Sequence, residues 1–255
     1  MSGKYLHNRK KKKQTPAVVI ALIAVALVAI FMGIVVLLGK SGGAVPGGTP
    51  TQTAATESFD PADTEAEEKT GLLDLGEGLV ITKIGNYTGL YVEDGSDEVV
   101  SGVLMVELEN TSDMDLQLAS ITLFYGEEEA AFQVTNLPAG GKLVALERSR
   151  MAYRPETPDS AAAENVAFVP EFSMHDDEIG IVALDGVINV VNRTEGAIDS
   201  NIYVYYKNVA AGVYYGGITY RVSIEGGLKA GEIRQIMASH YDAEGSEIVM
   251  VSYGQ

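Results

Sequence analysis

Residues 102–110, GVLMVELEN, put Leu104, Val106 and Leu108 on one face of an extended chain and Met105, Glu107 and Glu109 on the other. A period of two with one apolar face is the pattern of a half-buried antiparallel strand. ITLFYG, residues 121–126, alternates in the same way through Ile121, Leu123 and Tyr125. ITYRVSI, residues 218–224, gathers Ile218, Tyr220, Val222 and Ile224 opposite Thr219, Arg221 and Ser223. EIRQIMASHY (232–241) and SEIVMVSY (246–253) flank Asp242–Gly245, which predicts a short hairpin with Gly245 at its positive-φ position. From Gly71 onward no stretch sustains a 3.6-residue period, so the pattern predicts an all-β ectodomain, built as a sandwich.

Two halves of this region share a sequence of markers. One strand ends at Asn110-Thr111-Ser112 and another at Asn192-Arg193-Thr194. Two and four residues before each Asn stand Leu108 and Val106, then Val190 and Ile188. Ile-Thr-Leu-Phe-Tyr begins eleven residues after Asn110, and Ile-Tyr-Val-Tyr-Tyr begins ten after Asn192. Leu137-Pro138-Ala139-Gly140 is matched by Leu228-Lys229-Ala230-Gly231, and an added hairpin, KNVAAGVYYGG (207–217), accounts for the longer spacing in the second half. The expectation is two tandem modules, 71–157 and 158–255, with the break in the turn-rich segment RPETPDSAAAEN, 154–165.

This order of strands and turns resembles the small immunoglobulin-like modules of bacterial surface proteins, including the kind named FxLYD. ITLFYG and IYVYYK (202–207) would occupy the naming strand, with Gly126 and Lys207 where that family has Asp. The resemblance covers residues 78–255 and implies a binding or spacer module rather than a catalyst.

Ahead of the ectodomain, residues 16–39 carry no charge. At 1.5 Å per residue they can cross a hydrocarbon core of ~30 Å. Arg9 and Lys10–Lys13 lie on the N-terminal side and only Lys40 on the other. The positive-inside rule then predicts a basic cytoplasmic tail, 1–15, a signal-anchor helix, 16–39, and an extracytoplasmic remainder. A cleaved signal peptide is the competing reading, but its apolar region would be shorter. Ala17, Ala21, Ala29 and Gly33 line one helix face, the spacing by which membrane helices dimerise or join a larger complex. Residues 40–70, rich in Ser, Thr, Pro, Gly, Ala and acids, read as a flexible acidic stalk.

The chain's net charge of −17 divides unevenly: six cations and no acid in 1–39, then 12 cations against 35 acids. An acidic body of that size repels phosphates and argues against nucleic-acid binding. The chain has no cysteine, hence no disulfide, thiol nucleophile or thiolate metal site. Ser239, His240 and Asp242 are too close in sequence to converge on one strand. His175–Glu178 and Asp94–Glu98 read as solvated acidic turns, and no phosphate loop or dinucleotide fingerprint occurs. No catalytic residue, metal or cofactor is expected. Asn86, Asn110 and Asn192 each head a glycosylation sequon.

Tyrosine is unevenly spread: eight of 13 lie between residues 201 and 255. Tyr203, Tyr205, Tyr214 and Tyr215 are the candidate partner contacts, since tyrosine offers contact area at low entropic cost. Together these readings predict a single-pass membrane protein whose ectodomain binds or positions a protein or a cell-wall polymer. An accessory subunit docked through residues 16–39 is the alternative, and an envelope hydrolase the least favoured reading.

Overall fold

The alternating segments become strands paired into three sheets, and the residues between them supply the turns. The computed structural model describes residues 73–96 and 98–254. The basic tail 1–15, the span 16–39 with Ala17, Ala21, Ala29 and Gly33, and the stalk 40–70 lie outside the described residues. Among the described residues there is no helix, and so none long and apolar enough to cross a membrane. The fold there is all-β.

The first seven strands are β1 (Leu73–Gly76), β2 (Leu79–Leu90), β3 (Val99–Asn110), β4 (Asp115–Tyr125), β5 (Glu128–Leu137), β6 (Lys142–Leu146) and β7 (Ser160–Val169). The next six are β8 (Ile179–Leu184), β9 (Val187–Asn192), β10 (Ile202–Ala210), β11 (Val213–Ile224), β12 (Ile233–Met237) and β13 (Ser246–Tyr253). One seven-stranded sheet runs β1-β2-β3-β6-β11-β10-β13; β5-β4-β7 and β12-β9-β8 form two three-stranded sheets.

The second half repeats the strand pairing of the first. β2-β3-β6 with β5-β4-β7 corresponds, strand for strand, to β8-β9-β12 with β11-β10-β13. The correspondence extends to hydrogen bonds at the two buried asparagines. Asn110 Nδ2 donates to the carbonyls of Met114, Leu137 and Pro138 at 2.8, 3.2 and 3.2 Å. Its Oδ1 accepts from Ser112 N and Oγ. Asn192 Nδ2 donates to the carbonyls of Gly196 and Leu228 at 2.8 and 3.1 Å, and its Oδ1 accepts from Thr194 N and Oγ1. The main chain closes both corners alike: Gly140 N donates to Asn110 O, and Gly231 N to Asn192 O.

Two expectations about organisation need correction. The segment 154–165 is not a break, because it leads into β7, which pairs along β4 from Phe124↔Ser160 to Asp115↔Val169. By its pairing β7 goes with the strands of the first half, and the next strand starts at Ile179. The segment looked like a linker because the part of edge strand β7 within it gives the first core only Ala161 and Ala163, while Val166 and Phe168 follow later in the strand. The second correction is at Asp242–Gly245, which does not close a hairpin. β12 pairs with β9 and β13 with β10, so this loop crosses between sheets, and Gly245 has no positive φ.

Two cores fill the sandwich. Leu79, Ile81, Leu104, Val106, Leu108, Ile121, Leu123 and Phe132 belong to the first. Ile188, Val190, Ile202, Val204, Tyr206 and Ile224 belong to the second. Tyr205 packs into the first core while its neighbours Val204 and Tyr206 enter the second. Successive side chains on a strand point to opposite faces, so the two three-stranded layers lie on opposite faces of the long sheet. The halves meet where β11 runs parallel to β6, with Val213↔Lys142, Tyr214↔Leu143 and Tyr215↔Val144.

Candidate functional site

Strand alternation puts Tyr203 and Tyr205 on the face of β10 opposite the second core. Arg221, directly across from Tyr205 on β11, sets its guanidinium carbon 5.1 Å from the centre of the Tyr203 ring. Ser252 and Tyr253 from β13, with Asp199, Ser200 and Asn201 from the loop before β10, complete an open groove of about 500 Å³. Asn201 ties the rim together, donating through Nδ2 to Tyr203 Oη at 3.3 Å and accepting the Gly226 N–H at 2.9 Å. Arg221 makes no ion pair with the described residues and lines the groove. Half-buried aromatic rings beside a cation and neutral polar groups suit contact by stacking and hydrogen bonding.

Tyr214 and Tyr215 do not join this groove. The hairpin that carries them is not a free tip, because residues 213–215 are hydrogen-bonded to β6. The Tyr214 ring is buried in the first core, and its hydroxyl donates to Glu247 Oε2 at 3.0 Å. Burial and the neighbouring Glu247 push its pKa above the ordinary tyrosine value. Tyr215 packs on the other face of the sheet, against the cluster of Tyr87, Tyr91, Val92, Val103, Met105, Val144 and Leu146. Of the four candidate tyrosines, two line the groove and two hold the halves together.

The added hairpin carries one member of a buried charge pair, Lys207, and meets the other, Glu93. Lys207 is fully buried, and Nζ donates to the carbonyls of Gly216, Gly217 and Ile218 at 3.2, 3.0 and 3.0 Å. Glu93, from the loop after β2, accepts from the same stretch: Oε1 takes the Gly217 N–H at 2.8 Å and Oε2 the Ile218 N–H at 3.2 Å. Oε1 also takes the Leu146 N–H at 2.8 Å, so one carboxylate ties the end of β6 to the bulge in β11. Burial pushes the Lys207 ammonium down to about 7, opposed by Glu93. Burial pushes the Glu93 carboxyl up, opposed by its three N–H donors and by Lys207. At Gly217 a Cβ would stand 2.0 Å from the Gln133 carbonyl oxygen of β5, so only glycine lets the bulge approach the first half. Thr135 and Thr219 seal the same contact, hydroxyl to hydroxyl at 2.9 Å. The sequence clues were slight: a lysine directly after the apolar run YVYY, and two adjacent glycines nine residues on.

The remaining candidates serve turns and loops. Asp242 Oδ1 accepts the N–H groups of Glu244 and Gly245 at 2.8 Å each, and His240 stacks on Tyr220 with ring centres 4.8 Å apart. His240 and Asp242 thus have separate structural duties. Asp94 and Glu98 both bind Arg150, whose guanidinium lies over Tyr91, and Ser96 with Arg150 holds the Asp94 carboxyl below its usual range. His175 Nδ1 lies 3.2 Å from Glu178, whose carboxyl is held low by the Tyr253 hydroxyl and by His175. The side chains of Asn110 and Asn192 are buried with their amides engaged, so those two sequons are closed in the folded protein. Among the described residues no group of three or more His, Cys, Asp or Glu is gathered to hold a metal. No known protein family, curated protein or solved structure matches this chain.

Proposed function

We propose that the chain is a single-pass, N-in membrane protein whose ectodomain is a tandem duplication of an immunoglobulin-like module. Its work is to bind and position a partner at the bacterial cell envelope, without catalysis. The observation that carries this reading is the groove of Tyr203, Tyr205, Tyr253 and Arg221, set on strands of a sheet that runs through both halves. A recognition surface on paired strands keeps its geometry better than one on loops. The Glu93 clamp supports the positioning role, since it ties the groove-bearing half to the half nearer the N-terminus. The charge of residues 16–39 and their flanks supports the anchor, and the composition of 40–70 supports a flexible spacer of roughly 30 Å.

The test is retention of isolated cell-wall polymer by the full-length chain in nanodiscs, wild type against Tyr203→Ala with Arg221→Ala. Tyr203 is half-buried and Arg221 exposed, and neither belongs to a buried core, so the variant keeps the fold. The reading expects at least a tenfold loss of retention. Equal retention by the variant sinks the groove as the binding surface, and no retention by either protein redirects the reading to a protein partner.

A further inference from the structure

β6 and β12 hold the same place in the two halves. Each follows a Leu-x-Ala-Gly loop, and each pairs antiparallel with the strand that ends at the buried asparagine. Their second edges differ: β6 carries β11, whereas β12 has no second neighbour among the described residues. Their outer faces differ as well. On the β6 side, Val144 and Leu146 are buried under Tyr91 and Val92 of the loop after β2 and beside Val213 and Tyr215 of the added hairpin. On the β12 side the matching face is bare, with Val182 48%, Ile233 45% and Met237 74% exposed. These are half of the exposed large apolar side chains among the described residues, gathered on one face. The turn between β8 and β9 is only Asp185-Gly186, too short to fold back as Tyr91 and Val92 do.

Native sheets usually protect an open edge with proline, an outward charge or a covering loop. The outward positions of β12 are Ile233, Gln235 and Met237, so this face has no proline and no charge. The strand's one charge, Arg234, lies on the other face and is turned back to Glu232 and the Glu225 carbonyl. We propose that the β12 edge and the adjoining face of β8 and β9 bind another polypeptide by strand addition. The incoming segment is an extended hairpin of the kind seen in residues 207–219, running parallel to β12. Main-chain hydrogen bonds would supply affinity, and its alternate apolar side chains would cover Ile233 and Met237 as Val213 and Tyr215 cover Val144 and Leu146. Among the described residues, a second copy of this chain has no free hairpin of this kind to offer. Its own is bound to β6, and the counterpart between β4 and β5 is the two-residue turn Gly126-Glu127.

The probe is a peptide of residues 205–222 closed into a hairpin by a terminal disulfide and verified as such by its amide spectrum. It is titrated into the full-length chain in nanodiscs while amide exchange is followed. Saturable binding that slows exchange at residues 233–237, and that weakens at least tenfold in Met237→Lys with Ile233→Lys, supports the proposal. Both substitutions fall on exposed side chains, so the variant folds. No binding, or binding that survives both lysines or protects another edge, overturns it. Slowed exchange at 233–237 that depends on protein concentration without peptide overturns it in favour of self-pairing.

Discussion

Replacing Asn110 and Asn192 by alanine, one at a time, probes the repeated corners directly. Each side chain donates to main-chain carbonyls that close a loop, and each accepts an N–H and a hydroxyl two residues on. Alanine removes a buried donor from Leu137 O in one corner and from Leu228 O in the other, where the Ile198 N–H stays in place. The other partners lie nearer solvent and can recruit water. A buried polar group left unpaired costs ~1–3 kcal/mol, and each lost peripheral bond adds up to ~1. The expected loss is therefore about 3 kcal/mol at Asn110 and about 2 kcal/mol at Asn192, where Leu228 O keeps the Ile198 N–H. With a urea m-value of ~2 kcal/mol per M, the midpoints fall by about 1.5 M and about 1 M. Far-UV circular dichroism during urea unfolding measures this. Aspartate at either position should cost more, since it puts acceptor oxygens against acceptor carbonyls. A loss below ~1 kcal/mol at Asn192 with a full loss at Asn110 would refute the claim that each asparagine holds its corner.

Stability should depend on pH through the buried charge pair. The Lys207 pKa, about 7 folded, lies below its ordinary 10.5, so between those values the unfolded chain binds the extra proton and stability rises with pH. Glu93, raised above 4.5, acts oppositely: stability falls as pH climbs from 4.5 through its folded value. Urea unfolding at a series of pH values should show Lys207→Met losing the alkaline rise; an unchanged slope counts against the assignment. Gly217→Ala drives a methyl into the Gln133 carbonyl, so β11 must leave β6, and calorimetry should resolve two transitions where the parent shows one. Tyr214→Ala should destabilise the chain by ~2–4 kcal/mol, as a buried core ring, while Tyr203→Ala should stay within ~1; the reverse order would overturn the division of the tyrosines.

Much of the second-layer logic was readable from spacing. Leu104, Val106 and Leu108, then Ile188 and Val190, face inward as their alternation requires, because a strand presents one face every second residue whatever its partner. The asparagine turns and Leu-x-Ala-Gly loops were visible because a buried corner needs those side chains locally. The groove was half legible. Tyr203 and Tyr205 follow from alternation, but Arg221, Ser252 and Asp199 reach them only through pairing across β11 and β13.

What the amino-acid order determined alone was therefore local: strands, their inward faces, the repeated corners, the charge-free span and the acidic stretch after it. Which strand lies beside which was decided by tertiary structure. β7 belongs to the first half because its alanines fit against β4, and residues 242–245 cross between sheets because β12 and β13 find different partners. Tyr214 and Tyr215 became joints rather than contacts for the same reason. The Glu93–Gly217 bond spans 124 residues of chain, and nothing in either segment encodes the other's position. A carboxylate and an ammonium survive burial there only because the bulge in β11 presents N–H groups to one and carbonyls to the other.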